Sequence, residues 1–137
     1  MTLKSLVLIA SMAVVPVTEA WGADAPACAD GAMLWDRTEL YFGLSKPDGV
    51  IGEDEFAAFM DREVTPRFPD GLTMMTARGQ WRNDAGEVLK EVSRMVILLH
   101  PRDDGVSARI EEVRSAYKAE FEQQSVLLVT GSNCVSF

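Results

Sequence analysis

Residues Arg37 to Leu44 read RTELYFGL, and mainly apolar residues alternate with mainly polar ones along this stretch. One face of this stretch would carry Thr38, Leu40, Phe42 and Leu44, and the other Arg37, Glu39, Tyr41 and Gly43. A period of two residues is typical of a β-strand. We therefore predict a first strand here, followed by a turn at the sequence Ser45-Lys46-Pro47-Asp48-Gly49.

Two helices and three further strands follow from the same kind of reasoning. Phe56, Phe59, Met60 and Val64 recur at helical spacing, which predicts a helix from Glu53 to about Val64 that ends before Pro66. A second helix is predicted over Ser107–Phe121, with Ser107 as its N-cap and one apolar stripe. That stripe consists of Ile110, Val113, Tyr117 and Phe121.

The remaining apolar segments predict strands. They cover Leu72–Ala77, Val88–Leu99 and Val126–Thr130, with a continuation of the last through Val135 to Phe137 left open. Gly79–Gly86, between the second and third strands, is predicted to be a turn or an extended tip. The order β-α-β-β-α-β predicts an α+β fold, the ferredoxin-like plait, with a four-stranded antiparallel sheet and both helices on one face.

The N-terminus has the features of a secretory signal peptide. Lys4 provides a short positive region, and residues 5–17 form an apolar stretch that is too short to span a bilayer comfortably. Small residues allow cleavage after Ala20 or after Gly22. We therefore predict a signal peptide over 1–22, an N-terminal extension over 23–34 and a single domain over 35–137. An uncleaved anchor or a buried strand is the alternative.

Export changes how Cys28 and Cys134 are interpreted. In an oxidising compartment a lone pair of cysteines indicates a disulfide more often than a metal or catalytic site. In the predicted plait the start of the first strand lies near the end of the fourth, which brings the two cysteines to the same region. Two free thiols are the alternative. A lipid anchor at Cys28 is not expected, because Ala25 stands where a lipobox has an aliphatic residue and polar residues separate Cys28 from the apolar stretch.

Composition excludes several function classes. The 137 residues carry 13 Lys+Arg against 21 Asp+Glu, a formal net charge of −8, which argues against nucleic acid as a partner. One histidine and two cysteines argue against a His/Cys metal site. The motif at Asp48–Glu55 resembles half of an EF-hand, but Leu44 and Lys46 occupy positions that need oxygen ligands. We expect neither metal nor cofactor, and no integral membrane span after cleavage.

The two longest apolar runs predict a covered sheet face. Met95–Leu99 and Val126–Val129 are apolar at every position, whereas a solvated antiparallel sheet alternates. A homodimer joined sheet to sheet is the simplest cover. A partly exposed apolar face, or cover by the N-terminal tail, is the alternative.

Several short motifs resemble an uncharacterised bacterial family catalogued as domain of unknown function 3574. They are Thr38–Gly43 (TELYFG), Thr65–Thr73 (TPRFPDGLT), Gly79–Arg82 (GQWR), Tyr117-Lys118, Phe121 and Gln124–Leu127 (QSVL). The resemblance covers about Trp35 to Phe137. It implies an exported or lipid-anchored envelope protein and no established activity or catalytic residues. Gly52 stands where a Ser or Thr helix cap is usual.

Two groups of residues are candidates for a ligand or interface site. Arg37, Glu39 and Tyr41 share a strand face, with either Glu91 and Ser93 or Lys90 and Arg94 across from them. Buried together, such groups can shift each other's pKa values enough for proton transfer, although an ion-paired network needs no catalysis.

The second candidate is Gln80-Trp81-Arg82, which offers a stacking plane, an amide and a cation. The alternative is a hairpin in which Trp81 fills the core and Arg82 pairs with an acid such as Glu91. His100, the only histidine, is expected to be a surface or loop residue because no Gly-x-Ser-x-Gly motif accompanies it.

Two functions are compatible with these features. The first is a secreted or periplasmic, non-enzymatic binding or interaction module with an unknown ligand or envelope partner. The second is a small cofactor-free enzyme of isomerase, decarboxylase or oxygenase type. Its site would lie between sheet and helices or at a dimer interface, with Glu39 or Glu91 as base and Tyr41, Trp81 and Arg82 shaping the pocket.

Overall fold

The computed structural model describes residues 28–83 and 85–137, so the predicted signal peptide and residues 23–27 of the N-terminal extension lie outside the described residues. Strand β1 spans Met33–Gly43. Its buried side chains include Thr38, Leu40 and Phe42, as the alternation predicts. The strand begins four residues before the predicted Arg37, because the last strand of the chain is long enough to pair with Met33–Asp36.

The predicted turn after β1 contains a two-residue hairpin. Strands β2 (Ser45–Lys46) and β3 (Gly49–Val50) pair across it, and Gly49 has φ +145°, a conformation that glycine adopts without strain. Helix α1 (Glu53–Phe59) follows and continues as a π-helical segment, Met60–Val64. Together the two segments match the helix predicted from Glu53 to about Val64. The Glu55 carboxylate accepts a hydrogen bond from the Gly52 backbone N–H at 2.8 Å, so a side chain at the third helical position closes the helix start.

Strands β4 (Thr73–Arg82) and β5 (Val88–His100) form a long hairpin. The second strand therefore runs past its predicted end at Ala77, and Gly79–Arg82 belong to a strand rather than to a turn or tip. Backbone pairing of Gly79 with Glu91 and of Arg82 with Val88 overrides the weak strand preference of glycine. The turn itself begins at Asn83, whose side-chain oxygen accepts from the Glu87 N–H at 2.9 Å.

Helix α2 spans Val106–Glu120, and strand β6 spans Leu127–Val135. The predicted N-cap Ser107 is wrong: Gly105 is the cap residue, and the Asp103 carboxylate accepts from its N–H at 2.9 Å. This bond lowers the pKa of Asp103. The open continuation of the last strand is confirmed as far as Val135.

The four long strands pair antiparallel in the order β4-β5-β1-β6, with β2 and β3 as a separate small sheet. The predicted α+β, ferredoxin-like plait is confirmed. Both helices cover one face of the sheet, where the predicted helical stripes pack against β1 and β5. In the aromatic centre of this core, the rings of Phe42 and Tyr117 are 4.7 Å apart, and the Tyr117 hydroxyl donates to the Gly43 carbonyl at 2.8 Å.

Cys28 and Cys134 lie at disulfide distance, with their Sγ atoms 2.12 Å and their Cα atoms 5.5 Å apart. The sheet register explains the meeting, because Leu34 near the start of β1 pairs with Cys134 near the end of β6. A connection at this point links positions 106 residues apart in the chain. No helix within the described ranges is long and apolar enough to cross a membrane.

Candidate functional site

The sheet face that points away from the helices is the most unusual surface of the described chain; we call it the outer face. The register assigns to it alternate residues of all four long strands. Its large apolar side chains include Met33, Trp35, Met75, Trp81, Leu89, Met95, Ile97, Leu99, Leu127 and Val129. Leu127 is 57% exposed and Met75 45%, although each side chain would normally gain by burial.

Three polar side chains of β1 lie in the middle of this apolar surface; we call them the triad. Arg37 Nε donates to Glu39 Oε1 at 2.7 Å, and the Tyr41 hydroxyl donates to Glu39 Oε2 at 2.7 Å. The Tyr41 bond, with the Arg37 contact second, holds the pKa of Glu39 below its ordinary value. The bond to Glu39, together with desolvation, raises the pKa of Tyr41. At neutral pH the triad is therefore a carboxylate that accepts from two donors.

Glu91 and Ser93 are the β5 residues that share the outer face with the triad, rather than Lys90 and Arg94. Gly43 pairs with Ser93, and the Glu91 carboxylate lies over Gly43, where a Cβ would stand 2.9 Å from Oε2. Gly43 thus leaves the space that the Glu91 side chain occupies. Arg94 points to the opposite face, where it contacts Glu53 and Thr76.

The second group of candidates does not converge on the triad. Trp81 lies on the outer face and is 45% exposed, so the alternative that it fills the core is wrong. Gln80 and Arg82 point to the opposite face, because successive side chains of a strand alternate. Arg82 donates to the Gly86 carbonyl at 2.8 Å and does not pair with Glu91.

These residues belong to a projecting part of the β4–β5 hairpin, which we call the arm (residues 78–83 and 85–92). The last β1–β5 pair is Gly43 with Ser93, so the arm extends beyond the end of β1 as a two-stranded ribbon. Trp81 and Leu89 are cross-strand partners on its outer face. The sequence patterns at Thr73–Ala77 and around Leu89 could have indicated that β4 and the arm extend the apolar surface, but this extension was not predicted.

Two concavities of the described part of the chain have linings that do not include the triad. One, of about 210 Å³, lies between the 67–71 connector and the start of α2, and includes Phe68, His100 and Arg109. The other, of about 370 Å³, is an open hollow along the arm that includes Gln80 and Glu91. Of the residues proposed for an enzyme, Glu91 lines one of these two concavities, and Glu39, Tyr41, Trp81 and Arg82 line neither.

His100 is the last residue of β5 and half-buried. Its Nδ1 contacts the Pro101 carbonyl at 3.0 Å and its Nε2 contacts the Thr38 hydroxyl at 3.0 Å. Because the Pro101 carbonyl can only accept a hydrogen bond, Nδ1 carries a proton and donates to it. In a neutral ring Nε2 then carries no proton and accepts from the Thr38 hydroxyl. Both ring nitrogens are thereby used in the fold. Across residues 28–83 and 85–137, no group of three or more His, Cys, Asp or Glu side chains is arranged to hold a metal ion.

Solved structures with a similar fold include two of a phage SAM lyase. The lyase in complex with S-methyl-5'-thioadenosine matches with a TM-score of 0.57 and 13% sequence identity, over 82% of this chain and 95% of that chain. A structure of phage SAM lyase in the apo state matches with a TM-score of 0.54 and 12% sequence identity, over 83% of this chain and 97% of that chain. At this identity the likeness shows a shared fold.

No curated protein matches the chain in sequence. The family model described as Protein of unknown function (DUF3574) matches residues 37–137, which include the triad, the arm and β6. The chain belongs to the DUF3574 family.

Proposed function

We propose that the protein is a non-enzymatic interaction module, secreted or periplasmic, whose binding surface is the outer face. The observation that carries this proposal is the ring of exposed apolar side chains around the triad. Exposed apolar surface of this extent marks a place where another surface binds. The unsupported arm, with Trp81 half-exposed, enlarges the same surface at one end.

The chemistry of the triad favours binding over proton transfer. A catalytic base works best with a pKa near the working pH. The pKa of Glu39 is instead lowered by Tyr41 and Arg37, which makes the carboxylate a weak base. The pKa of Tyr41 is raised, which makes its hydroxyl a weak acid. Within the triad each carboxylate oxygen of Glu39 accepts one hydrogen bond, which offsets part of the cost of desolvating this carboxylate under a partner.

Site-specific photo-crosslinking in cells tests the binding surface. A photoreactive amino acid replaces Leu127 or Leu99 on the outer face, or Ala119 on the exposed side of α2 as a matched control. We expect discrete cross-linked products from positions 127 and 99 and none from position 119. Equal yields at all three positions, or none at any, would contradict the proposed binding surface.

Export is the second part of the proposal. It is supported by the apolar stretch behind Lys4 and by the cysteine pair at disulfide distance, which an oxidising compartment keeps bonded. The mass of the protein recovered from the periplasm or the medium tests it. We expect a chain that begins at Trp21 or Ala23. A full-length chain retained in the cytosol would contradict the proposal.

A small enzyme is the second candidate, favoured by the fold that the chain shares with the phage SAM lyase. Because neither of the two concavities described above includes the triad, its site would lie at an interface between copies. Glu39 or Glu91 would be the base, and Tyr41 and Trp81 would shape the pocket; Arg82 drops out because it points to the other face.

Titration of the purified protein with S-methyl-5'-thioadenosine and with SAM tests the enzyme directly. Saturable binding that Glu39→Gln and Tyr41→Phe abolish, together with turnover of SAM, would favour the enzyme. The absence of binding and turnover at millimolar nucleoside would favour the interaction module.

A further inference from the structure

We propose that the occupant of the outer face is a second copy of this chain. The inference rests on the proposed function, since it names the partner of the same surface. In the assembly the sheets of two copies pack face to face, the helices point outward, and the arm of each copy contributes Trp81 and Leu89 to the interface. Four observations support this occupant.

The first is the distribution of charge. The helical segments carry twice as many acidic as basic side chains. The acidic ones are Glu53, Asp54, Glu55, Asp61, Glu63, Glu111, Glu112 and Glu120. On the outer face the described charged groups are Arg37, Glu39 and Glu91, of which the first two neutralise each other at 2.7 Å. Two copies of an acidic chain therefore repel each other least when the sheets meet and the helices point away.

The second observation is the short reach of the segment that would precede Cys28 after cleavage. If cleavage occurs before Trp21 or before Ala23, at most seven residues precede Cys28, and they reach at most about 25 Å. Cys28 is held beside Cys134, at the end of the sheet opposite the arm. Strand β1, with 11 residues, extends for roughly 36 Å. After either cleavage, the segment that precedes Cys28 is thus too short to reach Trp81 and Leu89.

The third observation is the size of the surface. A four-stranded sheet is about 19 Å wide, and a ten-residue strand such as β4 is about 33 Å long. The outer face thus offers roughly 600 Å² of projected contact, comparable to the about 800 Å² of accessible surface that each partner buries in a standard stable interface. Two twisted sheets pack face to face over such an area at about 30° in many proteins.

The fourth observation is the arm. A two-stranded ribbon is marginally stable alone in water. Trp81 and Leu89 remain 45% and 40% exposed, directly opposite each other on the side of the arm that continues the outer face. A second copy on that face would cover both side chains and stabilise the ribbon. The arm is thus part of the interface rather than a separate feature.

Two neighbouring residues of β5 provide a matched test. Leu89→Glu places a charge on the outer face of the arm, and Val88→Glu places the same charge on the opposite face, where Val88 is 51% exposed. The mass in solution is measured by light scattering across the micromolar range, with circular dichroism as a check of folding. We expect the wild-type mass to be twice that of the single chain.

We expect Leu89→Glu to weaken association by at least about tenfold, and Val88→Glu to leave it unchanged. Should Leu89→Glu unfold the arm, Leu127→Glu on β6 gives the same test, with Val50→Glu as its control at 68% exposure. A wild-type monomer at every concentration, or equal effects of both variants in a pair, would overturn the second copy. Cross-links in cells from positions 127 and 99 to a different protein would then leave the proposed binding surface intact.

Discussion

Replacing both cysteines by serine removes the longest-range connection of the fold. Cys28 and Cys134 are 106 positions apart, so the bond closes a loop that includes nearly the whole described chain. In the chain-entropy model, closing a loop of this length in the unfolded chain stabilises the folded protein by about 4.7 kcal/mol. The native structure changes little, because the sheet register itself brings Leu34 beside Cys134. The effect is therefore expected mainly in the unfolded state.

The magnitude translates into a large change in melting temperature. The entropy of unfolding is roughly 2.1 cal/mol/K per residue, so losing that free energy lowers the melting temperature of a domain of about 110 residues by about 20 °C. Urea and thermal unfolding of the oxidised protein and of Cys28→Ser/Cys134→Ser measure it. Chemically reduced wild type is the control, and it should match the double variant. A loss below about 1 kcal/mol in both would refute the reasoning that this bond restricts the entire unfolded chain.

Two further substitutions test side-chain hydrogen bonds. Tyr117→Phe removes the buried hydroxyl that donates to Gly43 at 2.8 Å, and it should lower the free energy of unfolding by about 1 kcal/mol in denaturant titrations; no loss would contradict the bond. Glu39→Gln removes a carboxylate whose pKa is lowered from 4.5, so the stability that it contributes is present above that pH and is lost as the pH falls through the lowered value. The variant should therefore be less stable than wild type at pH 7, and the difference should shrink as the pH falls through the lowered pKa of Glu39, whereas a constant difference would contradict the triad.

Local patterns predicted the elements that bury one face. Leu40 and Phe42 alternate with polar neighbours in β1, and the aromatic residues of both helices recur at helical spacing, so that burial alone determines their structure. The order of the elements then leaves few topologies, and the plait places Cys28 beside Cys134. Both predictions rest on contacts that each segment makes with a common core.

The errors involve pairing between strands. Gly79–Arg82 extend β4 only because residues of β5 pair with them, and a single segment does not reveal this. Which of Glu91 and Lys90 faces the triad depends on register, since a slip of one residue reverses every side chain. For the same reason, the side chain of Trp81 lies on the outer face, whereas those of Gln80 and Arg82 lie on the opposite face. The candidate site was thus predicted in part: the triad and Glu91 share a face, and the arm is divided between two faces.

The cap of α2 shows a different limit. Ser107 has the chemistry of an N-cap, but the Asp103 side chain bonds to Gly105 and starts the helix earlier. Several residues in this loop could cap a helix, and local rules do not choose among them. The choice depends on where the end of β5 directs the chain.

Two neighbouring methionines test most directly whether the outer face is covered. Met75 lies on the outer face and is 45% exposed in the single chain; Met74 points to the opposite face and is 42% exposed. Mass spectrometry measures the rate at which peroxide oxidises each residue in the native protein at micromolar concentration. We predict that Met75 is oxidised several-fold more slowly than Met74, and that Leu127→Glu removes the difference. Equal rates in the wild-type protein would contradict the proposal that another surface binds there.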